Sequence, residues 1–127
     1  MKLKKRGLKI IGFGKFGTIY EGIKGKQAAQ FLLVEKAGEV HEALYHHKIG
    51  PIDIVWGNKE YGLMKIIEKH PEVVSQMQEI LDCSMIISHT KNRIKLESKD
   101  HKSIIRLDWD GEQKTWLLTM YEKKTTK

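Results

Sequence analysis

The chain has 127 residues, 40% of them hydrophobic, which suits one domain with one core and leaves too little for two. No run approaches the roughly 18 apolar residues of a membrane span, and the basic start MKLKKRGLKIIGFGKFG lacks a signal-peptide cleavage site, so a soluble, cytoplasmic protein with no membrane partner is expected. The formal charge of +7 invites nucleic acid, but five cations without an acid lie in residues 1–9 and three against one acid in 122–127, leaving residues 10–121 formally neutral.

Residues 1–23 read as a basic N-terminal segment, 24–123 as the folded domain and 124–127 as a basic tail. In the first, GFGKFG (Gly12–Gly17) has G-x-G-x-x-G spacing, yet no βαβ unit or suitably placed acid follows, so no cofactor loop is expected. KQAAQFLLVEK (Lys26–Lys36) is rich in helix formers and Gly38 supplies a stop. EVHEALYHHKIGPIDIVWG then alternates around the turn signal Gly50-Pro51, predicting strands Glu39 to His46 and Ile52 to Trp56. His46 and His47 point to opposite faces of a strand, one buried and one solvated, and no metal site is expected. His41, His89 and His101 have no neighbouring acid pattern and read as surface residues.

YGLMKIIEKHP (Tyr61–Pro71) is an amphipathic helix in which Leu63, Ile66 and Ile67 make a stripe that His70 continues. Tyr61, Lys65, Glu68 and Lys69 populate its other side. Pro71 ends this helix and suits the start of another running to about Cys83, burying Val73, Met77, Ile80 and Leu81, with a kink at His70. His70 is either a cap at a buried corner or a ring aimed into a site that moves protons. Cys83, the only cysteine, excludes an internal disulfide and reads as a buried hydrophobe.

After Cys83 the period alternates, predicting strands Met85 to His89, Arg93 to Glu97, Ser103 to Trp109 and Thr115 to Tyr121, the last two joined by an Asp110-Gly111 turn. The class is therefore α+β. Strict alternation puts Ile94, Leu96, Ile105, Leu107, Trp109, Trp116, Leu118 and Met120 on the helix side. Arg93, Lys95, Arg106, Asp108, Thr119 and Tyr121 fall on the other, a face suited to a phosphodiester.

GEVHEALYHHKIGPIDIVWG, YGLMKIIEKHP, NRIKLES and KTWLLTMYEK, in that order, resemble the phage-type barnase/EndoU/colicin/RelE-like (BECR) nucleases over about Lys24 to Lys123. The resemblance implies N-terminal helices packed on one face of a mostly antiparallel four-stranded sheet, with RNA on the other. It further implies a toxin-type or phage-associated, metal-independent endoribonuclease with no cofactor, and an RNA substrate such as a tRNA or messenger. His70, Arg93 and Thr119 are its active-site candidates. Lys65 stands where the family's block carries a histidine and Pro51 where it carries an acid, and the first departure leaves open an altered proton donor or a lost activity.

Such cleavage needs a base for the 2′-hydroxyl proton, a donor for the leaving 5′-oxygen, and cations around the phosphorane. His70 would fill one proton role and a desolvated Lys65 the other, although the two lie on different helix faces. Arg93 would hold the phosphate bidentately, Thr119 would hydrogen-bond it, Arg106 or Lys114 would position the backbone, and Tyr61 and Trp56 would stack bases or simply pack. The competing readings are a binding module of the same fold without chemistry, and an interaction protein whose basic tails dock an acidic partner such as a cognate inhibitor or immunity protein.

Overall fold

The glycine-spaced stretch KIIGFGKFGTIYE folds into an element that its composition hides: strands β1 (Lys9–Gly14) and β2 (Gly17–Glu21) form an antiparallel hairpin with Lys15 and Phe16 at its tip. A register shift between Ile10 and Gly12 breaks its alternation, which removes the signal a strand usually leaves. The computed structural model describes residues 7–123; Lys2, Lys4, Lys5, Arg6 and the basic tail 124–127 lie outside them.

Helix α1 (Gly25–Glu35) follows, ending on Lys36 in the left-handed conformation (φ 56°) with its amide on the Leu32 carbonyl, two residues before the expected glycine stop. The remaining elements are β3 (Glu39–His46), β4 (Gly50–Val55), α2 (Gly62–Lys69), α3 (Met77–Asp82), β5 (Met85–His89), β6 (Arg93–Glu97), β7 (His101–Trp109) and β8 (Glu112–Glu122). The single helix expected from Pro71 to Cys83 is instead a 3-10 segment, Pro71–Gln76, leading into α3, and the two together bury Val73, Met77, Ile80 and Leu81. With α3 ended at Asp82, Cys83 turns outward and is exposed rather than buried.

The expected four-stranded sheet with N-terminal helices packed on it is overturned. Among the described residues, eight strands form one mixed sheet in the order β1-β2-β3-β4-β8-β7-β6-β5, with three short α-helices inserted between strands. The β2–β3 and β4–β8 pairs are parallel and the rest antiparallel. A parallel pair needs a crossover, which α1 supplies for β2 and β3, and everything from α2 to β7 supplies for β4 and β8. Strand periodicity reveals that a segment is extended, not which segment it adjoins; the six strands that it predicts and the β1–β2 hairpin that it misses join one sheet larger than the four strands that the resemblance implies.

Ile94, Ile105 and Leu117 form one buried cross-strand row facing the helices, extended by Val40, Leu44, Ile52 and Ile54. Phe31, Leu32, Leu63, Ile66, Met77 and Leu81 supply the helical half of this core. Each such side chain contributes about 1.5–3 kcal/mol by leaving water. The opposite face of the sheet carries Arg93, Arg106 and Trp116.

Candidate nucleic-acid interface

Bulges in β8 decide which side chains reach that face. Thr119 stands opposite Ile104 and Leu117 opposite Ile105, so Leu118 is an extra residue; a second irregularity follows between Arg106 and Asp108. Arg106 consequently pairs with Trp116, and cross-strand partners share a face. Trp116 is thus on the arginine side, and Trp109 packs with it there, correcting the placement that strict alternation gives.

The result is a single row across four adjacent strands: Asp53 of β4 opposes Trp116 of β8, which opposes Arg106 of β7, which opposes Arg93 of β6. Trp116 is fully buried: the rings of Phe16, Tyr61 and Trp109 close over it with centroids 5.2, 5.5 and 5.7 Å away. Its indole N–H donates to the Asp108 carbonyl at 3.1 Å. Phe16 arrives from the β1–β2 tip, which Lys15 ties to the β7–β8 turn by donating to Asp110 at 2.7 Å. That hydrogen bond lowers the Asp110 carboxyl and raises the Lys15 ammonium from their ordinary values. Tyr61 is held by a tight loop: Asn58 Oδ1 accepts its amide at 3.2 Å, and Gly57 (φ 72°) lies where a Cβ would come 2.2 Å from the Tyr61 carbonyl oxygen. Arg106 donates from Nε to Asp108 at 2.9 Å while its guanidinium lies 5.5 Å from the Trp109 ring centroid. Arg93 is exposed, with no ion pair among the described residues.

At the other end of the row is a cluster of ionisable groups. Three residues of β3, His41, Glu42 and Ala43, stand against the single Asp53, with Glu42 in the left-handed region (φ 53°). Asp53 Oδ1 accepts the Glu42 amide at 2.7 Å and lies 3.1 Å from His41 Nδ1; Oδ2 accepts Lys114 Nζ at 2.7 Å. Lys114 also donates to the buried Glu39 carboxylate. Burial works against the Lys114 ammonium, but its hydrogen bonds to Asp53 and Glu39 more than offset that and raise its pKa. Burial pushes the Glu39 carboxyl up, and Lys114 opposes that only in part. A cavity of about 560 Å³ opens here, its lining including Lys15, Phe16, His41, Asp53, Trp109 and Lys114. Sequence reading missed His41, Asp53 and Glu39. Counting register back from the His46–Gly50 pair puts Asp53 opposite Ala43, so regular pairing gives no signal of a histidine–carboxylate contact; the bulge brings His41 to Asp53.

The residues expected to form the site are partly brought together. Arg93 and Arg106 are direct partners, and Tyr61 joins the aromatic cover. Lys114 is held between two carboxylates, which leaves it little charge to offer a phosphate. Trp56 packs half-buried against the core and its carbonyl accepts the Met64 amide. Thr119 is buried, its hydroxyl without a partner among the described residues, and Lys65 sits half-buried on α2. His70 lies against Tyr121, with ring centroids 5.4 Å apart, and its Nδ1 is 3.9 Å from Glu72. Tyr121 belongs to the row Glu97–Lys102–Tyr121, four residues along β6 from Arg93, or about 13 Å at 3.3 Å per residue. His70 and Arg93 therefore do not converge on one phosphate.

Neither the curated proteins nor the solved structures compared with the chain gave a match. A model of the phage-Barnase-EndoU-ColicinE5/D-RelE like nuclease 1 family matches residues 43–127, which hold the whole Asp53–Trp116–Arg106–Arg93 row. The match spans two thirds of the sequence and agrees with the resemblance carried by its four motifs, so the chain belongs to this nuclease family, whose substrates are nucleic acids.

Proposed function

We propose that the protein is an endoribonuclease that works without a metal ion, cleaving RNA by attack of a 2′-hydroxyl on the adjacent phosphodiester while the strand lies over the arginine-bearing face of the sheet. The observation that carries this reading is the direct cross-strand pairing of Arg93 with Arg106. Like charges placed opposite one another cost stability, and Asp108 offsets only the Arg106 side; a phosphate between the two guanidiniums removes the cost and accepts bidentate hydrogen bonds. Trp109 and Tyr61 beside the arginines offer ring surface for bases, which supports a single strand over a duplex. The exposed Arg93 and the half-buried Arg106 also give an acidic inhibitor protein its place to dock.

The test is incubation of the purified protein with total RNA in EDTA, comparing the wild type with Arg93→Ala and Arg106→Ala. Products ending in cyclic phosphate, lost or strongly reduced in both variants, are the expected result. RNA that stays intact but shifts in a gel would mark a binding module that has lost its chemistry.

A further inference from the structure

We propose that His41 is the proton carrier that takes the 2′-hydroxyl proton, with Asp53 as its positioning residue; the assignment rests on the endoribonuclease reading above. A histidine acts as a base when one ring nitrogen is held and substrate can reach the other, and a carboxylate on Nδ1 is the usual way to hold it. His41 Nε2 lies 3.4 Å from the exposed Glu42 carboxylate, a contact that the bound 2′-hydroxyl has to displace. Asp53 Oδ1 lies 3.1 Å from His41 Nδ1. The carboxylate is itself immobilised, since the Glu42 amide and Lys114 Nζ both donate to it at 2.7 Å. Asp53 is buried whereas the His41 side chain is 40% exposed, so the orienting group is inside and the working ring faces the cavity.

Position supports the same role. Asp53 starts the row that ends in Arg106 and Arg93, and Arg106 is two strand spacings away, about 10 Å, within reach of a long side chain. His41 and Trp109 line one cavity, and the Arg106 guanidinium lies over Trp109, so a nucleotide seated there meets the imidazole on one side and the guanidinium on the other. The bulge through Glu42 is the device that turns His41 towards Asp53. The charged groups around the ring are Glu42 on its own strand, Asp53 from β4 and Glu21 from β2, with Lys114 of β8 behind Asp53.

In the step assigned to it, neutral His41 accepts the proton as the O2′–P bond forms. The P–O5′ bond breaks, the leaving 5′-oxygen takes a proton from water, and the imidazolium returns its own to solvent. The products are a 2′,3′-cyclic phosphate and a 5′-hydroxyl end.

The experiment measures cleavage of a single-stranded oligoribonucleotide in EDTA, and binding of its 2′-deoxy analogue, for the full chain and the variants His41→Ala, His41→Gln and Arg93→Ala. His41→Ala should lower kcat by about 10² to 10⁴ with analogue binding little changed, and added imidazole should restore part of the rate. His41→Gln keeps a hydrogen bond to Asp53 but cannot carry the proton, so it must lose the rate as well even if the alanine variant folds poorly. Wild-type rate in the folded glutamine variant overturns the assignment, and if Arg93→Ala has lost activity the endoribonuclease reading still stands. Cleavage abolished by EDTA and restored by Mg²⁺ or Mn²⁺ also overturns it, making His41 a ligand alongside Glu21 and Glu42. A wild type that leaves RNA intact overturns both.

Discussion

Two histidines on this molecule have opposite surroundings. His70, at the bend between α2 and the 3-10 segment, touches a tyrosine ring and has its nearest carboxylate 3.9 Å away on an exposed glutamate. His41, on an irregular stretch of β3, has a buried carboxylate 3.1 Å from Nδ1, and that carboxylate is fixed by a lysine and a backbone amide. The first has a motif and no orienting partner; the second has an orienting partner and no motif. A titratable ring becomes useful through the groups that hold it, and those come from other strands.

The comparison is broken most directly by rates. His41→Ala should reduce RNA cleavage by about 10² to 10⁴, and His70→Ala by less than about tenfold; the reverse order, measured under single-turnover conditions, would return the proton role to the bend. The next largest effect is on stability. Replacing Lys114 with methionine leaves the buried Glu39 and Asp53 carboxylates facing each other without a cation and should cost about 3 kcal/mol in urea unfolding, whereas Lys65→Met on α2, where no ion pair is broken among the described residues, should stay within about 0.5 kcal/mol.

A smaller effect sharpens the arginine end of the row. If Arg93 and Arg106 each contact one phosphate, each alanine variant should reduce the slope of log affinity against log salt for single-stranded RNA by about 0.7, read from binding titrations at several salt concentrations. The smallest effect concerns the tie between the two hairpin tips. Because the Asp110 carboxyl is lowered in the folded protein, its contact with Lys15 contributes above the ordinary aspartate value of 3.8 and is lost as pH falls through the lowered value. The raised Lys15 ammonium contributes below 10.5 and is lost as pH rises through its raised value. Both groups are exposed, so the acid step should appear as a modest change in tryptophan fluorescence from the Phe16–Trp109–Trp116 cluster, absent in Asp110→Asn.

Much of the chain could be read locally. Helix α1 and strands β3 to β8 lie within a few residues of where composition and period put them, and Asp110 and Gly111 take the positive φ values that their turn signal implies. The family was also legible, because its motifs are runs of consecutive residues. The β1–β2 hairpin was not, since glycines and a register shift erase its alternation. Nor was the side on which Trp116 lies, because the added residue at Leu118 reverses the count between Thr119 and Trp116.

What neighbours in the chain fix could be read from the sequence: helix α1, strands β3 to β8, and the helix-facing Ile94 and Leu96 and the arginines of β6 and β7. Only the tertiary structure decided the eight-strand order, the aromatic cover over Trp116 and the meeting of His41 with Asp53 and Lys114. The reason is that side-chain period is a property of consecutive residues. Register, bulges and parallel pairing are settled by packing and hydrogen bonding between segments far apart in sequence.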